Sequence, residues 1–214
     1  VVNDGDFAYV PCGGFMELNK RTGKRMLRLL AFALSLIVLI GVSIAKATPA
    51  RVLIIRHAEK PDDDSNPELS PEGVARAQAL TQLFSIHPEY VNKGLPFAYF
   101  AAKYVPGQTA DRAVKTITPL ATAYKQPVLT PYVNDDEKQL AHLILTSPDY
   151  DGKTVMIAWT HGELPQLAAD LGAQDTPDKW KKKIFDRVWI LDYAPSGQVE
   201  FSDSPESVVP GDSD

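Results

Sequence analysis

Two short apolar runs, each leading into a histidine, constrain this chain more than any other feature. Val52-Leu53-Ile54-Ile55 runs into Arg56-His57, and Thr154-Val155-Met156-Ile157-Ala158-Trp159 runs into Thr160-His161. Unbroken apolar runs of this length suit strands covered on both faces, as in a parallel sheet. Between them, helical and strand patterns alternate. Ser70-Pro71-Glu72 reads as an N-cap with proline at the first helical position, opening a helix to about Ile86. Its inner side carries Val74, Ala77, Leu80, Leu83 and Phe84. Residues 96–102 read as a strand. Asp111 caps a helix bearing Val114, Ile117, Leu120 and Ala121, residues 127–132 form a third strand, and 135–145 is an amphipathic helix. Residues 163–171 form a helix closed by Gly172. A strand pair over 188–193 and 197–201 follows, and the polar tail after Ser202 is expected to fray. The order predicts an α/β fold with helices on both faces of a mostly parallel sheet, a three-layer α/β/α sandwich. Ligands of such sheets bind beyond the carboxyl ends of the strands, where His57 and His161 stand.

The first 47 residues are of another kind. Positions 29–45, LLAFALSLIVLIGVSIA, carry no charge; Lys20, Arg21, Lys24, Arg25 and Arg28 precede them and the triplet Ala45-Lys46-Ala47 follows. Basic, apolar and small segments in that order mark a secretory signal. Residues 1–25 read as upstream extension, 26–47 as a signal peptide starting at Met26, and 48–214 as the folded domain. Cleavage near Ala47 is expected, with a periplasmic or secreted bacterial product. The alternative is a membrane anchor, since 17 apolar residues are the short limit for a span. Membrane is a partner only in that case.

Residues 48–214 hold 16 basic and 24 acidic groups. That balance disfavours nucleic acid as a partner. The single cysteine, Cys12, excludes a disulfide framework and a cysteine-rich zinc site.

Arg56-His57-Ala58-Glu59-Lys60 is followed by Leu69-Ser70-Pro71-Glu72-Gly73, then by Arg112 with Thr116 and Pro119-Leu120, then by Trp159-Thr160-His161-Gly162-Glu163. This order resembles the histidine phosphatase, or phosphoglycerate mutase-like, superfamily over residues 50 to 193. That family carries Arg-His-Gly at the end of its first strand, leucine-(Ser/Thr)-x-x-Gly at the next helix, a second arginine and a late histidine. Gly162 after His161 matches the small branch rather than the larger acid phosphatases. Two positions depart: Ala58 stands where glycine is usual, and Asp111 precedes Arg112 where serine is common.

The resemblance implies a phosphomonoesterase working through a phosphohistidine on a small-molecule phosphomonoester. The residues agree with that chemistry. A phosphoryl group carries about two negative charges near neutral pH. Arg56 and Arg112 can fork onto it. His57 would attack phosphorus in line, and His161 would hold an equatorial oxygen. The resemblance puts the proton donor after the third strand, among Asp135, Asp136 and Glu137; Asp136 is chosen, with Glu163 as its rival. The same acidic cluster also suits a helix N-terminus, worth about 0.3–1 kcal/mol. Glu59 and Lys60 could line the mouth, Lys60 toward a substrate phosphate. His87 and His142 read as surface or packing residues.

Other functions stay open. His57 with Glu59 and His161 with Glu163 could supply metal ligands. The fixed charges of Arg56 and Arg112 oppose a cation, so neither metal nor cofactor is expected. A phosphate-binding protein without turnover would use the same Arg56, Arg112 and His161. A phosphomutase is less expected, because the chain lacks long insertions to trap a bisphosphate.

Overall fold

The structure, a computed structural model, describes residues 48–106 and 111–213. The signal, anchor and upstream readings of 1–47 lie outside the described residues. Among those described, no helix is long and apolar enough to cross a membrane.

Six strands form one sheet: β1 (Arg51–Arg56), β2 (Pro96–Ala101), β3 (Val128–Leu129), β4 (Thr154–Trp159), β5 (Arg187–Tyr193) and β6 (Val199–Pro205). They lie in the order β3-β2-β4-β1-β5-β6. The β1, β2, β3 and β4 pairings are parallel; β5 runs antiparallel to β1, and β6 to β5. The first strand is therefore central. Its neighbour β4 pairs in register from Arg51↔Thr154 to Arg56↔Trp159, so the two strands end level.

Side chains alternate across β1 and define two cores. Val52 and Ile54 join Phe100, Val155, Ile157 and Trp159 under helices α4 (Glu137–Thr146) and α5 (Leu164–Asp170), through Leu140, Ile144, Leu164 and Leu167. Leu53 and Ile55 join Tyr99, Met156 and Ala158 on the other face. There they meet Leu80, Leu83 and Phe84 around α1 (Pro71–Ala79) and α2 (Leu83–Ile86), and Ile117 and Leu120 of α3 (Asp111–Ala123). The three-layer sandwich expected from the sequence is the fold observed.

Several local expectations differ. The helix expected to run from 71 to 86 tightens into a 3-10 turn over Leu80–Gln82. The turn leaves both Leu80 and Leu83 buried in the same core. Val74, expected inside, is 50% exposed. Strand 127–132 shrinks to Val128–Leu129, an edge pair bracketed by Pro127 and Pro131, neither of which can donate to a ladder.

The largest correction concerns the tail, which is tied down rather than frayed. Strand β6 continues to Pro205, and the Glu206 N–H then donates to the Asp186 carbonyl at 2.8 Å. The Glu206 side chain is wholly buried and accepts from Arg76 Nη1 at 3.0 Å. Asp212 accepts from Arg76 Nη2 at 2.7 Å, and Ser213 donates to Asp186 Oδ2 through both its N–H (2.6 Å) and its hydroxyl (2.9 Å). The polar tail residues have buried partners, which composition does not reveal. Burial is the main cause that pushes the Glu206 carboxyl up, to about 8, against the pull of Arg76.

The start of α1 shows why glycine stands at position 73. Ser70 caps the helix, its Oγ accepting from the Gly73 N–H at 3.2 Å, while the Ser70 N–H donates to the Glu59 carbonyl at 3.0 Å. The helix is drawn so close to the loop after β1 that a Cβ on Gly73 would lie 2.2 Å from the Glu59 carbonyl oxygen. No flexible side chain can yield there, because the obstacle is backbone. Gly73→Ala is expected to destabilise the domain by about 1–3 kcal/mol, the usual range for overpacking. Chemical denaturation would check this, and an unchanged midpoint would contradict the close approach.

Candidate active site

Because β1 and β4 end level, the residues that leave them share one space. Arg56 closes β1 and His57 follows, its N–H donating to the Trp159 carbonyl of β4 at 2.9 Å. The Ala58 N–H donates to Thr116 Oγ1 at 2.8 Å, and that hydroxyl donates to the Arg112 carbonyl at 2.7 Å. Thr116 thus pins the turn after β1 to the α3 segment that carries Arg112. His57, Arg56 and Arg112 are all buried, at 3%, 1% and 3% exposure.

The His57 ring has a defined tautomer. Its Nδ1 lies 2.7 Å from the Ala58 carbonyl oxygen, which can only accept. The proton therefore sits on Nδ1 and the lone pair on Nε2. Burial pushes the imidazole down to about 3, reinforced by the charges of Arg56, Arg112 and His161; the bond to Ala58 opposes the shift. At neutral pH the ring is an uncharged base among cations. His161 is also pushed down, first by burial and then by Arg56, with Lys182 and Lys60 adding and Glu163 opposing.

The arginines are held by main-chain carbonyls. Arg56 Nη1 donates to the Lys182 and Ile184 carbonyls at 2.7 and 2.9 Å, and its Cζ lies 3.7 Å from the centroid of the Phe185 ring. Its Nε is buried with no hydrogen-bond partner. Nη1 is thus fixed by two carbonyls, while Nε is left for a partner from outside the protein. Burial, with Arg112 nearby, pushes Arg56 down to about 10. Arg112 donates from Nε to the Asn66 carbonyl at 3.1 Å and from Nη2 to the Asp64 carbonyl at 2.8 Å.

The remaining candidates divide. Asp136 sits at the foot of α4, half-buried, with Oδ1 accepting from Gln139 at 3.0 Å. Asp135 is exposed and accepts from Asn134 at 3.2 Å. Glu137 is pushed up by burial, with Glu163 adding, and its Oε2 is buried without a partner. Glu163 is half-buried, accepts from the Thr160 hydroxyl, and bears on His161. Glu59 turns away to Arg76, whose Nε lies 2.9 and 3.1 Å from its two oxygens. Lys60 pairs with Asp64. Among the described residues, no three His, Cys, Asp or Glu side chains are grouped as metal ligands. His87 stacks on Tyr90 at 4.7 Å and His142 is exposed, both away from the site.

The sequence reading passed over the wall formed by residues 182–185. Phe185, the Lys182 and Ile184 carbonyls and the Lys182 charge all act on the site. The only signal was the basic run Lys181-Lys182-Lys183.

No family model and no curated protein matches this chain. Solved structures do. A phosphoglycerate mutase from Plasmodium falciparum aligns with a TM-score of 0.50 at 12% identity, over 78% of this chain and 97% of its own. A putative phosphohistidine phosphatase SixA from Agrobacterium tumefaciens aligns at 0.44 and 18%, over 73% and 99%. A mycobacterial glucosyl-3-phosphoglycerate phosphatase, solved with inorganic phosphate, aligns at 0.44 and 13%, over 72% and 95%. The fold is that of the phosphoglycerate mutase structures.

The two imidazoles should titrate apart. The depressed value of about 3 for His57 keeps its ring neutral through the whole range above it. Histidine-selective NMR should find His57 unprotonated from about pH 4 upward, with His161 titrating below an ordinary histidine. A His57 midpoint at the ordinary value would overturn the buried, cation-flanked setting.

Proposed function

We propose that this domain hydrolyses phosphomonoesters through a phosphohistidine on His57. The observation that carries the reading is the neutral, buried His57, with its lone pair on Nε2 and two buried arginines beside it. Cations around a neutral base suit a dianionic ester better than any cationic ligand. Arg56 supports this further, because a buried N–H without a partner is costly unless a ligand oxygen meets it.

Nε2 attacks phosphorus, the P–N bond forms and the ester oxygen leaves. Water then attacks the phosphohistidine, releases phosphate and restores the imidazole. Arg56, Arg112 and His161 stabilise the charge spread over the equatorial oxygens. An alkoxide leaving group needs a proton. We assign that role to Glu163 ahead of Asp136, because the Glu163 charge bears on His161, whereas Asp136 is not among the groups that act on either histidine. A binding protein without turnover would also use the arginines, but it has no need of a nucleophile in a fixed tautomer.

His57→Ala should abolish turnover of nitrophenyl phosphate and the acid-labile phosphoenzyme seen by rapid quench. His161→Ala should slow it by about 10²–10³, as for loss of one oxyanion donor, while still allowing trapping. Glu163→Gln should slow alkyl phosphates far more than nitrophenyl phosphate, whose leaving group needs no proton; Asp136→Asn should discriminate less. Chelators should leave the rate unchanged and vanadate should inhibit. Label retained by His57→Ala and lost from His161→Ala would reverse the two roles.

The basic, apolar and small order of residues 20–47 supports export, with a periplasmic or secreted product. Mass spectrometry of the exported protein should find Thr48 at its amino terminus. Retention in membranes with a start at Met26 would mean an anchor instead.

A further inference from the structure

Beside the site, but outside it, lies a largely buried cluster of one arginine and three carboxyl groups. Arg76 of α1 is 5% exposed and uses three of its nitrogens on three partners. Nε donates to both oxygens of Glu59 at 2.9 and 3.1 Å, Nη1 to Glu206 at 3.0 Å and Nη2 to Asp212 at 2.7 Å. The partners come from distant parts of the chain: the loop after β1, the end of β6 and the terminal turn. Asp212 is itself held, accepting from the Val208 and Val209 N–H groups at 2.9 and 3.1 Å.

Glu59 is two residues from His57, and the intervening peptide is the one that orients the nucleophile. The Ala58 carbonyl, which accepts from His57 Nδ1, belongs to the Ala58–Glu59 peptide. That peptide is fixed on one side by Thr116, which takes the Ala58 N–H, and on the other by Ser70, which donates to the Glu59 carbonyl. The remaining freedom is the Glu59 side chain, and Arg76 grips both of its oxygens. The Glu59 charge also bears on Arg56, opposing the effect of burial there.

We propose that Arg76, anchored by Glu206 and Asp212, is a positioning residue that holds the Ala58–Glu59 peptide and through it the tautomer and orientation of the His57 ring. The terminal segment 206–212 thereby becomes part of the catalytic apparatus without touching substrate. For its kinetic consequence the inference rests on the phosphatase reading; for its effect on the ring it does not.

The test pairs a spectroscopic with a kinetic readout on the whole domain. Nitrogen-15 shifts of the His57 ring report which nitrogen bears the proton. Wild type should show the Nδ1–H form alone. Arg76→Met should show a mixture of tautomers and form phosphoenzyme from nitrophenyl phosphate about a hundredfold more slowly, the scale of a small misplacement of a reacting group. KM should change much less, since the phosphate-binding arginines stay. Arg76→Lys should recover part of both signals. If Arg76→Met does not fold, Asp212→Asn decides, with the same changes expected at smaller size. A folded variant with a single Nδ1–H tautomer and an unchanged rate of phosphoenzyme formation overturns the inference. Wild-type protein that turns over no phosphate ester defeats the phosphatase reading instead, and the tautomer shifts still decide the positioning role.

Discussion

Everything at the site depends on the parallel pairing of β1 with β4. The ladder runs from Arg51↔Thr154 to Arg56↔Trp159 without a slip, and the His57 N–H extends it by one more bond to the Trp159 carbonyl. A shift by one residue would turn each strand over, sending Val52 and Ile54 to the wrong core and His57 away from His161. The register is enforced by bulk on both faces, since every residue of both strands is buried. The chemistry is therefore positioned by hydrophobic packing, and the polar groups only refine it.

The refinement uses main chain more than side chain. Arg56 is held by two carbonyls, Arg112 by two others and the His57 ring by a fifth. Carbonyl partners hold a guanidinium without neutralising its charge, which a carboxylate would do. The carboxylate nearest Arg56 in sequence, Glu59, accepts its hydrogen bonds from Arg76 and reaches Arg56 only through its charge. The site thus keeps a positive field, and that field together with burial keeps His57 unprotonated.

What could be read from the sequence follows from this division. The strand-end positions of His57 and His161 were legible because apolar runs break there, whereas Arg56 and Arg112 stood out only through the motif order that resembles the histidine phosphatases. The sandwich was legible from the same apolar runs. The wall at 182–185 was not, because it acts through carbonyls that every residue possesses and through a segment with no periodic pattern. The tail was misread because Glu206 and Asp212 look like any polar residues until Arg76 is seen between them. The candidates for a proton donor, Asp135, Asp136, Glu137 and Glu163, could not be separated in sequence because they are chemically alike and differ only in surroundings.

The central place of β1 also bears on when the site can come into being. A strand formed early in the chain waits for both of its neighbours, β4 about a hundred residues later and β5 further still. Contacts so distant in sequence form slowly, because a long loop must close before they repay its entropy. Arg76 then waits for Asp212, 136 residues further along the chain. A chain made only as far as β3 accordingly carries His57, Arg56 and Arg112 but no assembled pocket, because β4, β5 and the carbonyls of 182–185 are still missing.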